Sequence, residues 1–259
     1  MKIITTFNDR IYSFSGRRLL KQLDEVVPLA EKVIYEDFHH SITNKRGIET
    51  ENGRTINLSG LKTYREVLTA NQDVILKSCG GSADSVTGDA FWNSRWFGWF
   101  CKVAAMHHAV CVDNKNLGHY LVFVDADVRF LKPLNDSILD ELTKGRPITF
   151  VKGKRDTVES GFMIIDNASR KPQKFWKWFM DLYVSGRFRE FERWDDIFLM
   201  TKLIEECPQE WFHDLAEGQE PKKYTNSNGH VTENQIIPFS EVKDYIEHDK
   251  GIHIRNNIA

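Results

Sequence analysis

The chain has 259 residues, 41% of them hydrophobic, which is enough to bury the core of one domain without a structural metal or a disulfide. Its net charge of −2 excludes a general electrostatic attraction to nucleic acid or to an anionic membrane. No segment approaches the ~20 apolar residues of a transmembrane helix, and no signal-peptide pattern precedes the first strand, so we expect a cytoplasmic protein. The four cysteines show no Cys-x-x-Cys spacing and are expected to be reduced.

The first 35 residues predict a βαβ unit with a right-handed crossover. Residues 2–7 and 32–35 have the short apolar pattern of strands, and residues 16–28 carry a leucine-rich stripe at helical spacing. Residues 41–60 are polar and poorly periodic, and residues 77–88 are rich in Gly and Ser. Both of these segments are therefore expected to be loops.

The most aromatic part of the chain, residues 90–112, follows a predicted helix at residues 60–70. A helix that is apolar on nearly every side is a buried helix. Lys102 lies within it, and a buried ammonium group needs an anionic partner. Arg95 stands seven positions earlier, on the same face. We therefore expect Lys102 to face an anion.

Residues 120–124, Tyr-Leu-Val-Phe-Val, form an uninterrupted apolar run of the kind that is buried on both faces of a mostly parallel sheet. Asp125 and Asp127 follow directly, where open α/β sheets bind their ligands. Because side chains at i and i+2 of an extended segment point the same way, both carboxylates can approach one point. A hard divalent cation, Mg²⁺ or Mn²⁺, would relieve their repulsion and bridge to nucleotide phosphates. The alternative is a solvated turn.

The second half of the chain predicts three helices and two strands that complete the same sheet. The helices are expected at residues 135–145, 171–184 and 194–206, and the strands at residues 147–152 and 159–166. The predicted fold class is α/β, with a Rossmann-like, mixed and mostly parallel sheet flanked by helices.

Four short motifs accompany the paired acids in a defined order: Phe100-Cys-Lys-Val-Ala-Ala-Met-His-His-Ala109, Glu159-Ser-Gly-Phe-Met-Ile-Ile-Asp166, Trp194-Asp-Asp196 and His248-Asp-Lys-Gly251. With Asp125-Ala-Asp127 they resemble, over residues 1–255, the nucleotide-sugar-dependent glycosyltransferases of the GT-A fold. The resemblance implies a single GT-A domain over residues 1–259. Its nucleotide-binding half would be residues 1–127, and its acceptor half, residues 128–259, would include a C-terminal segment that closes over the donor.

The resemblance also implies binding roles for individual residues. The metal ligands would be Asp125, Asp127 and His248, with His253 as a competitor for the third position. Lys250 would place a positive charge on the leaving phosphate. The residues implied in donor binding are Thr5, Thr6, Phe7, Arg95, Lys102, Asp125, Ala126, Lys250 and Gly251.

The catalytic carboxylate has three candidates, Asp196, Asp195 and Glu159. Asp195 and Asp196 open a predicted helix, where acids also have a structural explanation as capping residues. Successive residues of a first turn point about 100° apart, so that one acid can cap the helix while the other faces the cleft. We expect Asp196 to take part in the chemistry, with Asp195 and Glu159 as alternatives.

The resemblance implies a Mn²⁺- or Mg²⁺-dependent glycosyltransferase that moves a sugar from a nucleotide sugar, with a UDP-sugar preferred, to an acceptor hydroxyl. The acceptor would be a saccharide or a hydroxymethylated base in DNA. Basic clusters at residues 152–155, 187–193 and 222–223 are compatible with a nucleic-acid acceptor, without requiring one. One alternative is a nucleotidyltransferase, although residues 7–12 lack its Gly-rich basic loop. A non-catalytic sugar-binding module is the other.

Overall fold

The computed structural model describes residues 1–8, 11–36, 52–74, 96–113, 120–153, 157–226, 229 and 231–248. Within them the strands are β1 (Lys2–Phe7), β2 (Glu31–Glu36), β3 (Gly53–Asn57), β4 (Tyr120–Val124), β5 (Val128–Phe130), β6 (Ile148–Lys152), β7 (Val158–Asp166), β8 (Phe212–Asp214), β9 (Lys222–Thr225), β10 (Val231–Gln235) and β11 (Ile246–His248). The helices are α1 (Arg17–Val26), α2 (Lys62–Ala70), α3 (Trp96–His107), α4 (Asp136–Thr143), α5 (Lys171–Val184) and α6 (Asp196–Glu206).

Seven strands form the central sheet, in the order β3-β2-β1-β4-β7-β6-β8. Strands β3, β2, β1 and β4 are parallel neighbours, and β6 and β8 are also parallel to each other. Strand β7 runs antiparallel to both of its neighbours, β4 and β6. The predicted fold class is confirmed, because the sheet is mixed, mostly parallel and flanked by helices on both faces.

Strand β4 lies at the centre of the sheet, and this position accounts for its apolar sequence. Leu121 and Phe123 point into the apolar cluster that α2, α3, α5 and α6 cover. Tyr120, Val122 and Val124 point into the opposite cluster, which α1 and α4 cover. Because both faces of the strand are buried, no polar residue alternates with the apolar ones.

Most predicted elements of the main sheet are present, and α5 has the predicted bounds, 171–184. The expectation of a loop throughout residues 41–60 is wrong, because β3 lies at Gly53–Asn57 and pairs with β2. This edge strand alternates between exposed and half-buried residues, so its sequence lacks the apolar content of an interior strand. The predicted loop at residues 77–88 lies outside the described residues.

Two small antiparallel pairs complete the fold, β9 with β10 and β5 with β11. The pairing of β5 with β11 brings the C-terminal part of the chain back to the end of β4. In the part of the chain that the structure describes, no helix has the length and apolarity to cross a membrane. Cys101, Cys111 and Cys207 are free thiols.

Candidate functional site

A tight turn at the carboxyl end of β4 carries the two acids. The backbone N–H of Asp125 donates to the carbonyl of Gly161 on β7 at 2.9 Å, and the carbonyl of Asp125 accepts from Val128 at 3.1 Å. These bonds connect the turn to the antiparallel neighbour of β4 and to the start of β5. The side chains of Asp125 and Asp127 are therefore held at the sheet edge that the sequence indicates.

His248 completes a cluster with these acids. It is the last residue of β11 and lies opposite Val128 on β5, so the strand pairing places it beside the turn. Its Nε2 is 2.9 Å from Oδ1 of Asp127. One potential ligand atom from each of Asp125, Asp127 and His248 lies within 4.8 Å of the others. The fold thus brings together the three residues predicted to bind a metal.

The donor atoms in this cluster fit a divalent cation. Carboxylate oxygens are the preferred protein ligands of Mg²⁺ and Mn²⁺, and an imidazole nitrogen is compatible with first-row transition metals. Three protein ligands also leave coordination positions for phosphate oxygens. The arrangement therefore suits a divalent cation.

Lys102 on α3 lies between two of the acids. Its ammonium group is 2.9 Å from Oδ1 of Asp125 and 3.4 Å from Oδ2 of Asp196, and it donates to Oγ of Ser160 at 3.0 Å. Burial disfavours the charge on Lys102, but the neighbouring carboxylates outweigh burial and raise its pKa above the usual value. The predicted anionic partners of this buried lysine are therefore carboxylates of the chain itself.

Asp195 and Asp196 differ in what they contact, although both are fully buried. Asp195 caps α6 by accepting a hydrogen bond from the N–H of Phe198 at 3.1 Å, and its carboxylate pairs with Arg193 at 2.9 Å. No described residue donates a hydrogen bond to either carboxylate oxygen of Asp196, and its charge faces Lys102. The helix start therefore presents one acid to its own backbone and the other to the cluster.

The electrostatics of the cluster reflect buried negative charge. Burial raises the pKa of Asp125 to about 6, with Lys102 opposing and Asp127 reinforcing the shift. Burial lowers the pKa of His248, but Asp127 and its hydrogen bond outweigh burial and raise it to about 9. Both shifts indicate that acids outnumber bases at this point.

Strand β7 contributes three successive residues to the site, Glu159, Ser160 and Gly161. Ser160 accepts the hydrogen bond of Lys102, and Oε1 of Glu159 lies 3.7 Å from Nδ1 of His248. A Cβ atom on Gly161 would lie only 2.7 Å from Cε1 of His248, so the imidazole ring requires glycine at this position. The close backbone approach expected from this glycine is the contact with His248.

The residues predicted to seat the nucleotide lie at the end of β1, next to β4 in the sheet. Thr5 is buried, and its hydroxyl makes no hydrogen bond with another described residue. Phe7 is buried against Tyr12. Thr6, between Thr5 and Phe7, is half-buried. Ala126 is buried in the turn. The predicted contacts Arg95, Lys250 and Gly251, together with the competitor His253, lie outside the described residues.

Two contributions to the site were not predicted from the sequence. One is the hydrogen bond of Ser160, for which the only local signal is its position between Glu159 and Gly161. The other is Glu247, which is buried, forms an ion pair with Arg129 on β5 and accepts a hydrogen bond from Tyr224 on β9 at 2.6 Å. Through these side-chain contacts Glu247 connects β11 to β5 and to β9, and it supports the placement of His248.

The arginines of the predicted basic cluster at residues 187–193 have acidic partners. Arg187 pairs with Glu190, Arg189 with Asp73 and Arg193 with Asp195. These pairs reduce the positive field that a phosphate backbone would meet.

Neither a protein-family model nor a curated protein sequence matches this chain. Solved structures with a similar fold include mouse xyloside xylosyltransferase 1, with 13% identity, a TM-score of 0.44, and coverage of 83% of this chain and 84% of that one. Bacterial N-acetylglucosamine transferase NleB has 11% identity, a TM-score of 0.47, and coverage of 80% and 86%. The glycosyltransferase GlyE of Streptococcus pneumoniae has 12% identity, a TM-score of 0.44, and coverage of 83% and 45%.

Proposed function

We propose that this protein is a metal-dependent glycosyltransferase, which moves a sugar from a nucleotide-sugar donor to an acceptor hydroxyl. The metal is Mn²⁺ or Mg²⁺, held by Asp125, Asp127 and His248. The donor is a UDP-sugar, with its nucleotide at the carboxyl end of β1 beside Thr5, Thr6 and Phe7. The acceptor hydroxyl belongs to a saccharide or to a hydroxymethylated base in DNA.

The observation that carries this proposal is the charge of the cluster. Four carboxylates and two basic side chains meet within it: Asp125, Asp127, Glu159 and Asp196 with Lys102 and His248. Even with both bases charged, two negative charges among these described residues are uncompensated. Buried charges require compensation, and a divalent cation supplies two positive charges at the position where three ligand atoms converge.

The chemistry assigned to the site follows from where charge develops. As the bond between the sugar and the diphosphate breaks, its electron pair stays on the departing oxygen, and the new bond forms to the acceptor oxygen. A cation bound by Asp125, Asp127 and His248 would neutralise the diphosphate. Lys102 would add a second, fixed positive charge beside Asp125. In a water-poor cleft such preorganised charges stabilise the transition state more than mobile solvent does.

Asp196 is our proposal for the catalytic carboxylate. It either accepts the proton of the attacking hydroxyl or stabilises positive charge on the sugar. The observation in its favour is that its oxygens accept no hydrogen bond from the described part of the chain, whereas those of Asp195 accept hydrogen bonds from Phe198 and Arg193. Asp195 and Glu159 remain the alternative positions for this role.

A nucleotide-sugar panel tests the proposed function. Purified protein incubated with UDP- and GDP-sugars and Mn²⁺ should slowly release free nucleoside diphosphate, because water replaces the missing acceptor. Chelation of the metal and Asp127→Asn should each abolish the release. Asp136→Asn is the matched control, since Asp136 is an exposed acid at the start of α4, where it pairs with the N-terminus.

The products also separate the alternatives. A nucleotidyltransferase would release pyrophosphate from a nucleoside triphosphate and a sugar phosphate, with no diphosphate from a nucleotide sugar. A sugar-binding module would bind a sugar without any release. Either result would overturn the proposed function.

A further inference from the structure

Strand β7 is irregular beside the cluster. Neighbouring residues of β6, Phe150 and Val151, pair with Met163 and Glu159, which are four positions apart. The residues between them, 160–162, therefore bulge away from the ladder with β6. Bulges of this kind re-aim side chains and are common next to functional sites. Here the bulge turns Glu159, Ser160 and Gly161 towards the carboxyl end of β4.

Glu159 faces the ring nitrogen of His248 that does not contact Asp127. The imidazole of His248 directs Nε2 towards Asp127, at 2.9 Å, and Nδ1 towards Oε1 of Glu159, at 3.7 Å. Both Glu159 and His248 are buried, and Nδ1 makes no hydrogen bond with another described residue. A buried imidazole nitrogen without a partner is costly, and a shift of about 1 Å would bring Glu159 within hydrogen-bond distance.

The ring of His248 has little freedom to turn away from this arrangement. Its edge rests on the backbone of Gly161, where even a Cβ atom would be too close, at 2.7 Å. Its backbone is fixed by the pairing of β11 with β5. The protonation of Nδ1 therefore decides whether Nε2 can offer a lone pair to a metal.

We propose that Glu159 is a positioning residue, which accepts the Nδ1–H of His248 and thereby presents Nε2 to the metal. This inference rests on the proposed metal site, and it assigns Glu159 a different task from that of the catalytic carboxylate. A carboxylate behind a ligating imidazole selects its tautomer, orients its ring and increases its basicity. The carboxylate of Glu159 also lies close enough to Lys102 to favour its charged form.

Metal binding to chelator-treated protein tests the role directly, by calorimetry with Mn²⁺ alone. Glu159→Ala should weaken Mn²⁺ binding about 10- to 100-fold, the usual effect of removing such a partner. Glu159→Gln keeps an acceptor oxygen and should restore affinity to within a few-fold of the wild type. Glu241→Ala is the matched control, because Glu241 lies beside another histidine, His213, at 3.4 Å, and its loss should leave Mn²⁺ affinity unchanged.

The tautomer of His248 is a second readout, independent of activity. With ¹⁵N-labelled histidine and Mg²⁺, the wild-type ring should carry its proton on Nδ1, and Glu159→Ala should abolish that signal. If Glu159→Ala fails to fold, Gly161→Ala serves instead. The added Cβ displaces the ring and should weaken Mn²⁺ binding while every carboxylate remains.

The outcomes separate this inference from the proposed function. Wild-type protein that binds no Mn²⁺ overturns both. Wild-type protein that binds Mn²⁺, with Glu159→Ala binding equally well, overturns only the positioning role. Glu159→Gln that binds Mn²⁺ normally and has lost turnover would support the positioning role and would add a role for Glu159 in the chemical step.

Discussion

The two edges of the central sheet differ in their ratio of acidic to basic side chains. The amino edge brings together three bases and three acids: Lys2, Lys32 and Arg54 with Asp24, Glu31 and Asp113. The carboxyl edge brings together two bases and four acids: Lys102 and His248 with Asp125, Asp127, Glu159 and Asp196. Charge among these described residues is balanced at the first edge and negative at the second.

The pKa shifts follow the same division. At the amino edge, burial opposes ionisation of Glu31, but hydrogen bonds from Lys2 and Arg54 outweigh burial and lower its pKa. At the carboxyl edge, burial and the charge of Asp127 prevail over Lys102 and raise the pKa of Asp125 to about 6. The first edge stabilises its charges within the fold. The second retains a cost of the kind that functional sites carry and that a ligand removes.

The largest expected effect is on metal binding. Asp127→Asn removes a ligand and one of the surplus negative charges, so Mn²⁺ affinity and Mn²⁺-dependent UDP affinity should fall by about 100-fold or more. Calorimetry with chelator-treated protein measures both. The corresponding change at the balanced edge, Asp24→Asn, should leave both affinities unaltered. Unchanged affinity in Asp127→Asn would exclude Asp127 as a ligand.

The next largest effect distinguishes the two acids at the start of α6. Asp196→Asn should lower kcat about 100-fold with little change in donor affinity, because a base or a charge stabiliser acts on the chemical step. Asp195→Asn still caps the helix but loses the ion pair with Arg193, so it should instead destabilise the fold with kcat nearly intact. Steady-state kinetics and thermal melts of both variants measure this. Normal turnover by Asp196→Asn would transfer the catalytic role to Asp195 or Glu159.

Much of this arrangement could be predicted from local sequence, because β4 is apolar on both faces and its two acids follow it directly. The edge strand β3 could not, since only pairing with β2 makes its polar sequence extended. The roles of Ser160 and Glu247 could not either. Each depends on a partner far away in the chain, Lys102 for Ser160 and Arg129 for Glu247. Ser160 depends also on a bulge that has no distinctive sequence pattern.

The free energy of unfolding should also respond differently to the loss of an acid at each of the two edges. Lys32 is fully buried and pairs with Asp24 at 3.0 Å, so Asp24→Asn removes a carboxylate from a buried ammonium group and should cost about 3 kcal/mol. Asp127→Asn removes the main partner of the charged His248 but also relieves its repulsion with Asp125, so it should cost less than Asp24→Asn in chelator-treated protein. Urea unfolding of both variants without metal measures this. Equal destabilisation by both substitutions would contradict the surplus of acids at the carboxyl edge.

The smallest expected effect is on the protonation of two histidines, His107 and His248. Burial lowers the pKa of both, but their neighbours differ. Burial lowers the pKa of His107 to about 4, with the charges of His108 and Lys177 adding to the shift. Burial also disfavours the charged form of His248, but Asp127 reverses the outcome and raises its pKa to about 9. His107 therefore stabilises the fold as a neutral group above its unfolded pKa of about 6.5, and this contribution is lost as the pH falls towards 4. His248 stabilises it as a cation below about 6.5, and that contribution is lost as the pH rises through 9.

Proton NMR titration of the chelator-treated protein, with His107→Gln and His248→Gln to assign the signals, should find the two imidazoles in opposite states at pH 7. His107 should be neutral and His248 charged. Asp127→Asn should lower the pKa of His248 and leave that of His107 unchanged, because Asp127 is the largest of the interactions that favour the charged imidazole of His248. If both histidines titrate near 6.5, the carboxylates at the end of β4 do not dominate the electrostatics of the cleft. The contrast between the two edges of the sheet would then have no measurable consequence for protonation.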